Sequence, residues 1–330
     1  MSESPVDTLR GWHHQGMPPG IRRHFLVIPS VICAAQAALT MAEGVAGAVA
    51  IEHQHGCAQL GGDARLTEQV LTGLGAHPNV AGALVVSLGC ETVQGAGLHR
   101  AIVARGQRAE FVGIQQAGGT GAAVRAGRQA LARLQRESAA DPPVALDWGD
   151  LCVGIEAAWL GLSPTQSQVF REVIDQLQQR GATVVQAIRA GGPDADRWRA
   201  RTPATGAGAA SLGTVDYATR PSGQGVFFME SPGSRISQKT GLAAAGAHVI
   251  LSPLAAGLPA GCPVAPVVHV GIAPYAQPFA GDVDAMLEED PPPATASAVL
   301  AALERAVRGE TTMEVVGTFE MAIHRIAPTM

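Results

Sequence analysis

The run "VAGALVVSLGCETVQGAGLHRAIVARG", residues 80–106, decides the fold. Its opening "VAGALVVSL" is apolar without alternation, as in a strand buried on both faces; a glycine-bearing turn and then apolar residues at helical spacing follow. Such a strand needs helices on both sides of its sheet, which predicts parallel strands joined by right-handed crossovers. The same order repeats around it. "HFLVIPS" (24–30) leads into the helical "AAQAALTMAEGV", "VAGAVAIEH" (45–53) into "LTEQVLTGLGAHP", and "EFVGIQQ" (110–116) into "GAAVRAGRQALARLQRES".

Beyond the proline-bearing "SAADPPVALDWGD" (138–150) the alternation resumes less cleanly. "LCVGIEA", "ATVVQAI", "GVFFMES", "HVILSP" and "PVVHVGI" read as strands, and "SQVFREVIDQLQQRG", "ISQKTGLAAAGA" and "AVLAALERAVRG" as helices. The long "RAGGPDADRWRARTPATGAGAASLG" (189–213) between them reads as a loop or lid. The expected fold is α/β, two Rossmann-like units with mainly parallel sheets. The division is an N-terminal domain over 1–145 and a C-terminal domain over 146–330.

Composition agrees with a packed α/β chain: of 330 residues, 47% are hydrophobic and 15% charged, with 40 glycines and 22 prolines for tight turns. The net charge of −5 leaves no basic stripe to track a phosphate backbone, so nucleic acid is not an expected partner. No apolar run reaches the roughly 20 residues of a membrane span, and the start "MSESPVDTLRGWHHQG" lacks the layout of a secretory signal. A cytoplasmic location is expected, with the five cysteines reduced and free to act as ligands or nucleophiles.

Chemistry gathers where the strands of the first half end. The first runs into Cys33, the second into Glu52, His53, His55 and Cys57, the third into Cys90 and Glu91, the fourth into Gln115 and Gln116. In a parallel sheet these ends share one edge, where open α/β folds bind ligands. Imidazole, thiolate and carboxylate together suit Fe(II), Mn(II) or Zn(II), with His53, Cys57, Cys90 and Cys33 as candidate ligands. No GxxxxGK[ST], HExxH or paired CxxC pattern offers a competing template. In the second half, Ser231 and Gly233 precede a helix whose exposed N–H groups favour a substrate carboxylate, and Lys239, the only lysine, lies one turn inside it as a candidate catalytic residue, with Gln115 on the first half's edge a candidate substrate contact.

These residues resemble those of the altronate and galactarate dehydratases, a family that includes the large subunit of sulfolactate sulfo-lyase. The matching runs are "GIRRHFLVIPSVICA", "HQHGCAQLGGD", "LTGLGAHPNVAGALVVSLGCET", "GVFFMESPGSRISQKTGLAAAGAHVIL" and "PAGCPVAPVVHV". The resemblance implies a metal-dependent lyase that eliminates water or another leaving group from a small hydroxy acid. It implies a divalent metal, Fe(II) or Mn(II), with an iron–sulfur cluster as the alternative cofactor. Carried over by position, the pattern includes Arg22, Gln59 and Asp63 toward substrate, Cys152 with the other cysteines toward metal, and Glu91 with His53 or His55 toward acid–base work.

Departures accompany the matches. Where the family reads Glu-Cys-Gly-Gly-Ser-Asp this chain reads "LCVGIEA", keeping Cys152 but not the Ser-Asp pair, and "LAAGLPAG" lacks an arginine found in the family loop. The family's small SAF domain is absent, so it is expected as a separate subunit or lost; a homo-oligomer is also expected. The alternative function is a non-catalytic binding or partner subunit built on the same fold.

Overall fold

The structure is a computed structural model and describes residues 9–14, 16–157, 162–189, 213–231, 234–289, 294–311, 314, 317 and 319–326. The expected loop or lid over 189–213 lies almost wholly outside these residues, as does Gly233.

Four strands form the first sheet: β2 (His24–Pro29), β3 (Ala48–Ala50), β4 (Val80–Ser87) and β5 (Ala109–Gly113), in the order β3-β2-β4-β5 and all parallel. β4 is buried at every residue, as its unbroken apolar run requires. Helices α1 (Ala35–Ala42) and α4 (Thr120–Ser138) cover one face, where Val27, Leu84 and Val86 meet Met41, Leu131 and Leu134. Helices α2 (Gly61–Gly75) and α3 (Gly95–Ala104) cover the other, where Leu26, Ile28 and Val85 meet Leu71, Leu74 and Leu98.

The second sheet is larger and also parallel. Its strands are β7 (Cys152–Ile155), β8 (Thr183–Arg189), β9 (Gly213–Val215), β10 (Val226–Ser231), β11 (Val249–Leu254), β12 (Val267–Ile272) and β13 (Ala285–Leu287). Their order is β13-β12-β11-β7-β8-β10-β9. Helices α5 (Pro164–Gln179) and α7 (Thr295–Val307) pack on one face. Ser163 starts α5 with a capping box to Gln166 and a proline in its first turn, two signals written into the sequence. On the other face lies α6 (Arg235–Ala244), whose core residues join those of α2 and α3 in one apolar cluster.

The two sheets therefore face each other across α2, α3 and α6. Gly73 of α2 lies against the Ala244 carbonyl of α6 with no room for a Cβ, so the two helices end side by side. Each runs back along its own sheet, which turns both carboxyl edges to the same side of the molecule.

The structure supports the α/β class with two mostly parallel sheets, and it adds strands the sequence analysis did not contain. β1 (Leu9–Trp12) pairs antiparallel with β6 (Pro143–Leu146), and Leu9 and Ile21 pack into the second sheet's core. Three-residue β9 and β13 are too short to carry a periodic signal. β3 stops at Ala50, so His53 and His55 sit on the following loop, and α2 starts at Gly61, ahead of the apolar periodicity. Among the described residues no helix is long and apolar enough to cross a membrane.

Candidate active site at the carboxyl edges

In the first sheet the chain order reverses between β2 and β4, and the crevice beyond such a reversal is where α/β sheets bind ligands. Ser30 follows β2 there. Its hydroxyl donates to Glu91 Oε1 at 2.8 Å, while the Gly89 N–H donates to Oε2 at 2.6 Å. Burial pushes the Glu91 carboxyl up, but hydrogen bonds from the Gly89, Glu91 and Cys90 backbone and from Ser30 outweigh it and hold the group below its ordinary value. Glu91 is thus an ionised, fixed carboxylate.

The histidines beside it are locked by the loop that carries them. The Pro29 carbonyl only accepts, so His53 Nε2 donates to it at 2.7 Å, and His53 Nδ1 accepts the His55 N–H at 3.2 Å. Gln59 Nε2 donates to His55 Nδ1 and Gln59 Oε1 accepts the Gly56 N–H, both at 2.9 Å. The proton of His55 therefore sits on Nε2, toward the Ile323 carbonyl. Burial lowers the pKa of both rings, that of His55 to about 4, so both are neutral near pH 7. Gly56, at φ 94°, backs onto the Ser30 carbonyl so closely that a Cβ would collide, and its own carbonyl accepts from Thr92 at 2.9 Å.

Residues 319–326 close this edge from above. Ile326 N–H donates to Asp63 Oδ1 at 2.6 Å, Ala322 N–H to Thr240 Oγ1 at 3.1 Å and Glu320 N–H to the Gly261 carbonyl at 3.1 Å. Under the segment lies a cavity of about 570 Å³ lined by Glu52, His53, His55, Ala322, Ile323 and Arg325, among others. The segment thus ties the first sheet's loops to α6 and the second sheet.

On the second sheet, strands that send one set of side chains into the core shared with α6 end in polar residues on that same face. These are Glu156 after β7, Ser231 in β10, Ser252 in β11 and His269 in β12. Arg235 forms an ion pair with both Glu156 oxygens, and the Ser252 hydroxyl donates to Glu156 as well. Lys239, expected on the helix, is 2% exposed, and its Nζ donates to the Ala260 carbonyl at 2.7 Å. The Ser231 hydroxyl is buried and, among the described residues, has no hydrogen-bond partner.

Several expected site residues stand elsewhere or are otherwise engaged. Arg22, expected toward substrate, precedes β2 at the opposite edge, where its guanidinium is taken up by Glu314 and by the Ala306 and Val307 carbonyls. Cys152 is the first residue of β7 rather than its last, so it too lies at the amino edge. There burial pushes its thiol up to about 12, and its N–H donates to His248. Asp63 and Gln59 hold backbone rather than facing open space. Cys33, on a short 3-10 turn, and Cys57 and Cys90, on loops, are exposed, as is Gln115 beside Gly89.

The metal expectation meets the same test. Both ring nitrogens of His53 and of His55 are turned to protein groups. Among the described residues no three His, Cys, Asp or Glu side chains converge on a point where an ion could sit. As arranged, these residues do not fit a metal centre.

Missing from the sequence-based set were Ser30, Glu156, Arg235, Ser252 and His269. For all but Arg235, which opens a helix, the signal was available: a polar residue breaking or ending an apolar strand, as in "VVHVGI", "VILSPL" and "CVGIE".

Two doubly wound α/β layers with buried acid–base groups at adjoining carboxyl edges define an α/β protein of the ligand-binding or enzymatic kind. The chain belongs to the D-galactarate/altronate dehydratase family. Residues 11–139 match the second domain of D-galactarate dehydratase/altronate hydrolase, and residues 205–329 match the C-terminal domain of D-galactarate/altronate dehydratase. Altronate dehydratase of Bacillus subtilis is 32% identical over 94 residues, 26% of this chain and 19% of that protein. The (2R)-sulfolactate sulfo-lyase subunit beta of Chromohalobacter salexigens is 29% identical over 190 residues, 54% of this chain and 46% of that one. The chain thus spans less than half the length of either relative. The solved structure of Escherichia coli heptosyltransferase WaaC with ADP covers 86% of this chain and 99% of its own, at 12% identity and TM-score 0.29, too low to bear on fold or function.

Proposed function

We propose that this chain is a lyase that eliminates water, or another leaving group, from a small hydroxy acid of the sugar-acid class. Membership of the dehydratase family supports the reaction class. The observation that carries the reading is the arrangement of the two carboxyl edges. They open to one side and are tied together by residues 319–326, with Glu91 fixed on one edge and Lys239 buried on the other.

Elimination removes a proton from the carbon next to the carboxylate, a weakly acidic position, and protonates the departing oxygen. Lys239 is the group placed to take the proton and, once protonated, to pass it to the departing oxygen; burial lowers its pKa from the ordinary lysine value against the pull of Glu156. Charge developing on the substrate carboxylate is met by fixed donors, with Arg235 held in place by Glu156. Glu91 keeps the Ser30–Gly89 corner in register, and the neutral His53 and His55 shape the cavity wall without adding charge.

The test is incubation with a panel of aldonic, aldaric and sulfonated hydroxy acids, with detection of 2-keto products. Turnover of at least one, abolished in Lys239→Met, is expected. A folded protein that turns over none of them overturns the reading.

A further inference from the structure

A cavity of about 390 Å³ opens where α2, α3 and α6 end, at the amino edge opposite the candidate active site. Its wall draws on both layers. Gln69 of α2 and Arg105, the residue that ends α3, come from the first, and Thr219 and Arg220, between β9 and β10, come from the second. Gly246, just past α6, lies under Arg220, whose guanidinium is so close that a Cβ there would meet Nε at 2.8 Å and Nη2 at 2.9 Å. Gln69 Nε2 donates to Thr219 Oγ1 and to the Tyr217 carbonyl, both at 2.9 Å, which holds this loop against α2.

Two like charges thus share one cavity. Both side chains are exposed enough to meet a solute, yet burial lowers the pKa of each, and repulsion from Arg105 lowers that of Arg220 further. The opposing pull on Arg220 comes from Cys152, whose thiol burial pushes up to about 12, so it stays neutral near pH 7. Asp150, in the adjoining cavity, accepts the Asp147 N–H at 3.0 Å. Among the described residues neither guanidinium has a hydrogen bond or an ion pair. Arginines elsewhere are answered: Arg22 by Glu314, Arg108 by Asp141, Arg133 by Glu110. The helix ends beside the cavity offer carbonyls, and neither arginine takes one, so helix capping does not account for the pair.

A phosphate group carries about −1.5 to −2 charge near neutral pH and three strong acceptor oxygens, enough for two guanidinium forks. A single carboxylate would answer only one of the two charges. We propose that Arg105 and Arg220 form a binding site for a phosphate group, free or esterified to a small molecule, that bridges the two layers at their amino edge. The site stands apart from the lyase reading, because it uses none of the residues at the carboxyl edges and its ligand is not the hydroxy acid. A bound phosphate ties the end of α3 to the loop before β10, as residues 319–326 tie the layers at the other edge.

The experiment is calorimetric titration of the full chain with inorganic phosphate, with glycerol 3-phosphate and with glycerol, at constant ionic strength set by potassium chloride. Phosphate or its ester is expected to bind with a Kd of about 1 mM or tighter, and glycerol not to bind up to about 10 mM. Arg105→Met and Arg220→Met are each expected to weaken that binding about tenfold or more. Arg133→Met, on α4 at the other face of the first sheet, is expected to leave it unchanged. Tighter binding of the ester identifies the ligand as a phosphorylated small molecule and tighter binding of phosphate as the free anion, and both support the site. If a methionine variant does not fold, Arg220→Lys, which keeps the charge and loses the fork, is read in its place and is also expected to bind more weakly. No binding of either phosphate compound up to about 10 mM, full affinity in the Arg105 and Arg220 variants, or equal weakening in Arg133→Met overturns the site.

Discussion

Gln59 donates to His55 Nδ1 at 2.9 Å and so decides which nitrogen of that ring carries the proton. The other end of the same amide takes the Gly56 N–H, and both residues are buried. One side chain therefore sets a tautomer and closes a turn.

Gln59→Leu leaves a ring nitrogen and an N–H without partners, at a cost of about 1–3 kcal/mol each where buried. Urea denaturation is expected to show a loss of about 2–6 kcal/mol over the two groups. Gln59→Glu should act in the opposite sense on the ring: a carboxylate at this position favours the imidazolium, so the His55 titration seen by NMR moves up from about 4. An unmoved His55 titration in Gln59→Glu would mean the amide does not control the ring.

Acid should destabilise this protein early. His24, His55 and His248 are lowered to about 4 and His269 to about 3, each mainly by burial. A histidine whose folded pKa lies below its unfolded value of about 6.5 is fully stabilising above that value. As pH falls toward 4 the unfolded chain binds protons that the folded one refuses, and stability drops. Urea midpoints are expected to be flat above pH 7 and to fall steeply from pH 6.5 to pH 4. A midpoint unchanged between pH 7 and pH 5 contradicts it.

How far this was legible depends on which physical signal each residue leaves. β4 and the alternation around it were open to reading, because burial on both faces dictates an unbroken apolar run. That His53 and Glu91 come to one edge also follows from parallel topology. Their roles do not follow, since a ring nitrogen can face a carbonyl as readily as an ion, and only the Pro29 and Gln59 contacts decide between them. Arg22 shows the reverse problem. Its neighbours in sequence lead into a site-forming strand, yet its partner is Glu314, at the far end of the chain. His269 was visible as a polar residue inside "VVHVGI", but strand periodicity marks a face without naming what covers it.

Gly56→Ala tests the corner under the cavity. At φ 94° an L side chain is strained, and the new Cβ would enter the space of the Ser30 backbone. Ser30 carries the hydroxyl that holds Glu91, so the clash displaces that carboxylate as well as the turn. The expected result is a loss of about 1–3 kcal/mol or more together with loss of turnover. Cys57→Ser, one residue away and exposed, should stay within about 0.5 kcal/mol of the parent. Comparable losses in both would show that the loop as a whole, rather than the Gly56 contact, is sensitive.

Arg22→Met separates a structural arginine from a substrate-binding one. The guanidinium meets both Glu314 oxygens at 2.8 Å and the last carbonyls of α7, with 13% and 22% of the paired side chains exposed. Removing it strands a largely buried carboxylate, at about 3 kcal/mol. The pH dependence follows from the sign of the Glu314 shift. Burial pushes that carboxyl up, but Arg22 and Thr311 outweigh it and hold it below its ordinary value. A depressed carboxyl contributes stability that is present above its unfolded pKa and is lost as pH falls through the folded one. The gap between parent and Arg22→Met should therefore be full near pH 7 and close under acid, while KM for any hydroxy acid turned over stays unchanged. A raised KM with stability intact would return Arg22 to the substrate.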